Sequence, residues 1–177
     1  KVVEEQAEPD PDFSTVESPN PEEYSAFTMA LETAAKEDAD IIIGTDPDCD
    51  RMGLIVKDED GEYVSLNGNQ AGVLMANYIL ERTAVPADGV IIKTIVTTEM
   101  IREIAEEYDI EIQDVLTGFK YIGERINEFE RTGAHSFIFG FEESYGYLAG
   151  KHARDKDAVV ASALAASMAL YYKKEDS

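Results

Sequence analysis

The feature that most limits what this chain can fold into is the alternation of two hydrophobic periods along its second half. Short runs rich in β-branched and aromatic residues, GVIIKTIVTT, IEIQDVL and HSFIFGF, are separated by EMIREIAEEYD and KYIGERINEFERTG, whose apolar residues recur at helical spacing. A turn with a short strand, SYGYLAG, and a long helix from about Asp157 to Lys173 complete the series. The first half alternates too. Residues up to Ser18, rich in Pro, Asp and Glu, read as a short strand and an extended loop. Asn20 as N-cap, Pro21 at the first helical position and Glu23 at the third then announce a helix with Tyr24, Phe27, Leu31, Ala34 and Ala35 on its apolar face. A strand at Ile41-Ile42-Ile43 follows, then two strands in MGLIVKDEDGEYVSL joined by a turn at Asp60-Gly61. NGNQAGVLMANYILERTAV is a helix whose apolar face is Val73, Ala76, Ile79 and Leu80. The expected fold class is therefore mixed α/β in both halves. Pro86-Ala87-Asp88-Gly89 interrupts the pattern and places a domain boundary there, giving domains 1–86 and 87–177.

With 177 residues, 44% of them hydrophobic, the chain can bury a core as one domain or two small ones. Its 37 acidic against 15 basic residues give a net charge of −22, which argues against nucleic acid or an anionic membrane as a partner. No apolar run approaches the roughly 20 residues of a membrane span. Cys49 is the single cysteine and cannot form an internal disulfide, so a cytoplasmic setting is expected. The chain opens at Lys1 straight into an acidic segment and is expected to be a piece of a longer protein.

The chemistry is concentrated in GTDPDCDRMG, residues 44–53, at the C-terminal end of the Ile41–Ile43 strand, where open α/β sheets favour ligand sites. Asp46, Asp48 and Asp50 stand at alternate positions, and three like charges that close repel unless solvent or a cation separates them; a hard divalent ion with oxygen ligands suits them. An EF-hand loop fails by spacing, since counting from Asp46 the required Gly and the terminal acid fall on Arg51 and Lys57. An aspartyl-phosphate phosphatase, with Asp46 as nucleophile, stays open, as does a merely solvated acidic turn. Arg51 favours a doubly charged anion such as phosphate, to which it offers a planar fork of donors.

GTDPDCDR, LTGFKYIGE, FGFEESYGY and ARDKDA, in this order and spacing, resemble the phosphoglucomutase and phosphomannomutase family of α-D-phosphohexomutases over nearly the whole chain. The resemblance implies the later part of that family's second domain followed by its third, so the first domain here is incomplete. The phosphoserine loop of the family's first domain and the phosphate loop of its fourth find no match. Asp46, Asp48 and Asp50 resemble the Mg2+ ligands, with the phosphoserine supplying a further oxygen. Arg51 matches the arginine beside the phosphoserine. Glu142 and Ser144 match the residues that grip adjacent sugar hydroxyls. Gly118, Phe119 and Lys120 match a specificity loop whose plainer reading is a strand-to-helix turn capped by Thr117. Lys93 and Lys156 resemble basic residues near the reacting phosphate, and a lysine within the apolar run of Lys93 is unexpected for a buried strand. Arg154, with Lys156, sits at a helix start where cations oppose the dipole, which favours an anion nearby.

The implied activity is a phosphoglucomutase interconverting glucose 1-phosphate and glucose 6-phosphate through a phosphoserine and a bisphosphate. Tyr145-Gly146 after Ser144 is closer to glucose-preferring than to mannose-preferring members. A phosphomannomutase, or a non-catalytic module binding a divalent cation or sugar phosphate, is the alternative. The expected partners are a hexose phosphate and the missing domains of the same parent, without which the fragment is expected to be inactive. His135 reads as structural, and Cys49 as a small packing residue among hard ligands.

Overall fold

A computed structural model describes residues 1–175. Three strands, β1 (Ile41–Thr45), β2 (Met52–Lys57) and β3 (Tyr63–Leu66), form an antiparallel sheet in the order β1-β2-β3. The hairpin between β2 and β3 turns at Asp60-Gly61, as the dipeptide requires, with Gly61 at φ 86°. Helix α1 (Thr28–Glu37) and the turn before it cover one face of this sheet, where Phe27 and Ala34 meet Ile42 and Ile55.

The second sheet has the order β5-β4-β6-β7, built from β4 (Gly89–Thr94), β5 (Glu111–Val115), β6 (Ser136–Phe141) and β7 (Tyr147–Ala149). β4 pairs in parallel with β5 and β6, and β7 closes the edge antiparallel to β6. The crossovers run through α3 (Met100–Glu107) and α4 (Phe119–Thr132). All six residues of β4 are buried, as a central parallel strand covered on both faces demands. Val90 and Ile92 point to a core under α4, while Ile91 points to the opposite core shared with α2 (Gly68–Arg82), α3 and α5 (Ala158–Glu175). That larger core also takes Met52 and Leu54 from the first sheet, and α5 packs against β1, β2 and β7. One apolar mass therefore joins the two sheets. Because β5 and β6 flank β4 on opposite sides, their connections diverge at the C-terminal ends of these strands, the place where such sheets open a crevice.

Several local expectations are revised. Val2 and Val3 form no strand; residues 4–6 make a single 3-10 turn. The Asn20 side chain caps no helix: it accepts from the Glu22 amide and from Arg51, so residues 24–27 form a 3-10 turn and α1 starts only at Thr28. Tyr24 and Ala35 consequently lie exposed, off the buried face. The apolar run after Lys93 does not prolong β4; Thr97 donates its amide to Thr94 and the chain turns, leaving Ile95 and Val96 exposed. The helix from Asn67 is as expected, closed by a capping box between Asn67 and Gln70, with Val73, Ala76, Ile79 and Leu80 buried.

Candidate active site

The aspartate loop follows β1 and is folded tightly around Asp46. That carboxylate is buried; its Oδ1 accepts from the amides of Asp50 (3.0 Å) and Arg51 (2.9 Å), and its Oδ2 from Arg51 Nε (2.8 Å). Cys49 sits at φ 59° to make the bend and packs against the larger core. Asp48 is exposed, and Asp50 is half-buried with Lys156 Nζ 3.0 Å from its Oδ2. Ligand oxygens of Asp46, Asp48 and Asp50 lie within 4.8 Å of one another.

Electrostatics in this cluster reflect crowding. Burial pushes the Asp46 carboxyl up, but hydrogen bonds from Arg51 and Asp50 outweigh it and hold the group below its ordinary value. Asp50 is pushed the other way, by burial first and then by the neighbouring Asp46, with Lys156 opposing. Three hard oxygen donors faced by two fixed cations leave a surplus of negative charge that a small divalent cation fits.

The second loop follows β6. Glu142 is buried and its Oε1 accepts from the Gly118 amide (3.1 Å), where a φ of 118° needs glycine. Burial raises the Glu142 carboxyl, with Lys156 and the Gly118 amide opposing. Ser144 is half-buried, and among the described residues its hydroxyl makes no hydrogen bond. Tyr145 takes a left-handed turn at φ 66°, returning the chain so that the Glu142 amide donates to the Gly146 carbonyl (2.9 Å).

Tertiary structure lays these two loops side by side. Arg51 and Gly146 form an antiparallel bridge, the Met52 amide donates to the Tyr145 carbonyl (3.1 Å), and the Ala158 amide donates to the Cys49 carbonyl (3.0 Å). Lys156 completes the junction, paired with Asp50 and within electrostatic reach of Glu142. Asp46, Asp48, Asp50, Arg51, Glu142, Ser144, Gly118 and Lys156 thus converge from four segments.

Four other residues with expected site roles are placed elsewhere or engaged differently. Lys93 is fully buried; its Nζ donates to Glu99 Oε1 (2.8 Å), Asp114 Oδ1 (3.0 Å) and the carbonyls of Thr94 and Thr97, none of them in the aspartate cluster. Phe119 is a core residue under α4. Lys120 is exposed, its Nζ 5.0 Å from the Tyr121 ring. The Arg154 guanidinium is spent on Asn127 and Glu130 of α4 and on nearby carbonyls.

Sequence reasoning passed over two groups. Asn20 and Glu22 both hold Arg51 Nη1, at 3.1 and 3.2 Å. Glu143 reaches the hydroxyls of Thr94 and Thr97. The doubled glutamate was the visible signal for Glu143; nothing local marks Asn20 as a partner of a residue 31 positions away.

A family model described as phosphoglucomutase/phosphomannomutase, alpha/beta/alpha domain II, matches residues 1–61, and its domain III counterpart matches residues 67–177. The chain is 45% identical over 158 residues to a phosphoglucomutase of Staphylococcus haemolyticus (strain JCSC1435), covering 89% of this chain and 28% of that protein. Among solved structures, a candidate phosphomannomutase from Thermus thermophilus superposes with a TM-score of 0.73 at 25% identity, covering 92% of this chain and 35% of that one. An N-acetylphosphoglucosamine mutase of Aspergillus fumigatus, solved with GlcNAc-6P and magnesium, shares the fold with a TM-score of 0.53 at 18% identity, covering 82% and 37%. The chain thus spans about 28% of the length of the curated relatives it matches. Two consecutive family models account for almost all of its residues, and the chain belongs to the phosphoglucomutase/phosphomannomutase family.

Proposed function

We propose that this chain is the cation-holding and sugar-gripping portion of a phosphoglucomutase, and that the whole protein interconverts glucose 1-phosphate and glucose 6-phosphate through a phosphoserine and a bisphosphorylated sugar. The bridge between Arg51 and Gly146 carries the reading, because it puts a phosphate-type site and a diol-type site against each other. In this reading the chain runs from the second domain into the third, with the phosphoserine and a phosphate loop supplied by domains outside this chain, in a cytoplasmic enzyme.

The donor set fits Mg2+, which when bound would neutralise charge on phosphoryl oxygens. Asp46, locked by two amides and Arg51, is a rigid ligand, while exposed Asp48 can adjust. Arg51 holds its plane through Asn20, Glu22 and Asp46 and presents the rest of its fork to a phosphate. Lys156 adds a second cation at the junction, held by Asp50. Glu142 accepts and Ser144 donates, so together they hold two neighbouring hydroxyls, and Gly118 keeps the Glu142 carboxyl oriented. Gripping hydroxyls in the middle of the ring serves both ends of the substrate in turn. Lys120, exposed at the start of α4, is free to meet the distal phosphate. Lys93, Phe119 and Arg154 would act by shaping the site.

The test is a mutase assay on the full-length parent with Mg2+, comparing glucose 1-phosphate with mannose 1-phosphate. Turnover of glucose 1-phosphate that Asp48→Ala abolishes is expected; turnover that survives Asp48→Ala, or none with glucose 1-phosphate, overturns the proposal. Preference for mannose 1-phosphate would instead support the second reading, a phosphomannomutase, which the Thermus neighbour favours.

A further inference from the structure

The turn after β4 is clamped from two sides. From below, the buried Lys93 ammonium holds the carbonyls of Thr94 (3.3 Å) and Thr97 (3.1 Å), and is itself fixed by Glu99 and Asp114. From above, one carboxylate oxygen of Glu143, Oε2, lies 3.1 Å from Thr94 Oγ1 and 3.0 Å from Thr97 Oγ1, and the two hydroxyls are 2.7 Å apart. Both threonines are buried. Charge-assisted bonds in such surroundings are stronger than bonds between neutral groups. Glu143 lies between Glu142 and Ser144 in the turn that follows β6, a turn closed by the bond from the Glu142 amide to the Gly146 carbonyl. A fastener on Glu143 therefore fixes the backbone from which both neighbours project, and the Glu142 carboxylate on one side of it is itself held by the Gly118 amide.

We infer that Glu143 is a positioning residue: fastened to the Thr94 and Thr97 hydroxyls, it fixes the loop from which Glu142 and Ser144 reach the sugar, and Lys93 acts through it by rigidifying the turn. This rests on the proposed sugar-gripping role of Glu142 and Ser144. Removing the fastener leaves both gripping groups in place but lets the loop wander, so the loss falls on sugar affinity rather than on the cation.

The test uses the full-length parent with glucose 1-phosphate. Glu143→Ala and the pair Thr94→Val with Thr97→Val are each expected to raise KM for the sugar about tenfold to a hundredfold, the range for losing a hydrogen bond to a charged group, while the Mg2+ dependence stays unchanged. Combining all three substitutions should cost little more than either alone, because they break one link. Thr94→Ser with Thr97→Ser keeps both hydroxyls and should remain within about twofold of the parent, as bonds rather than bulk are at issue. Amide hydrogen exchange gives a reading independent of turnover: in Glu143→Ala the amides of Gly118 and Glu142 should exchange faster, while those of Asp50 and Arg51 keep their protection. An unchanged sugar KM in Glu143→Ala, or unchanged exchange at Gly118 and Glu142, overturns the inference. Faster exchange in a parent that turns over no hexose phosphate would retain the fastening and reject the assigned function.

Discussion

Asp46 shows how one side chain can build a site before any ligand arrives. Its two oxygens gather the backbone of Asp50 and Arg51 and the Arg51 guanidinium, which shapes the loop and aims the other two carboxylates at a common point. A cation bound there stabilises the folded state by mass action. At about 100 times its dissociation constant this amounts to about 2.7 kcal/mol, or a rise of roughly 5–10 °C in melting temperature for a chain of this size. That rise should appear in a Mg2+ titration followed by thermal melting, vanish on chelation, and be absent in Asp48→Ala. A pH effect belongs to Asp157, which accepts from His152 and from the amides of Val159 and Val160 at the start of α5, and whose carboxyl is held below its ordinary 3.8. A carboxyl depressed on folding contributes stability that is present above its unfolded pKa and is lost as pH falls through the folded one. Between about pH 5 and 3 the parent chain should therefore lose more stability in urea than Asp157→Asn, which keeps a capping side chain but has no proton to gain.

At the scale of elements, the site depends on how closely α2 approaches the Glu142–Ser144 loop. A Cβ placed on Gly68 would lie 2.0 Å from the Glu143 carbonyl oxygen, a contact with backbone that cannot swing away. Gly68→Ala should cost about 1–3 kcal/mol in urea unfolding, the usual penalty for overpacking, and should disturb the loop that carries Glu142 and Ser144. Asn67→Ala, one residue earlier, removes a cap and should cost about 1 kcal/mol without touching the loop. Much of this level was legible in advance. The strands and helices from Ile41 to the final helix are where period and turn residues put them, because each is stabilised by its own burial pattern. The misread places are instructive. Asn20, Pro21 and Glu23 spell a helix start, but Arg51 claims the Asn20 side chain, and local signals cannot register a partner across the fold. The Ile95-Val96 pair extends an apolar run, yet two threonine hydroxyls and a lysine bend the chain there.

Across the whole molecule, a net charge of −22 works against compactness. Screening should relieve it: raising NaCl from about 0.01 to 0.15 M shortens the Debye length from about 30 to 8 Å, and the urea midpoint of the chain should rise over that range, the reverse of what a fold held mainly by surface ion pairs would show. Among the described residues no helix is long and apolar enough to cross a membrane. By itself, the sequence determined the mixed α/β class, the order of elements from Ile41 onward and the aspartate cluster, each of which depends on the residue types within a short window, and the likeness to a family, which four short motifs carry in order. It could not determine which side chains face one another. Tertiary structure decided that Arg51 meets Gly146, that Lys156 meets Asp50, that Lys93 and Arg154 are committed to internal partners, and that Phe119 belongs to the core. The physical reason is that these contacts follow from how α5 and the larger core hold two sheets at one angle, a property of packing spread over many residues and written in none of them singly.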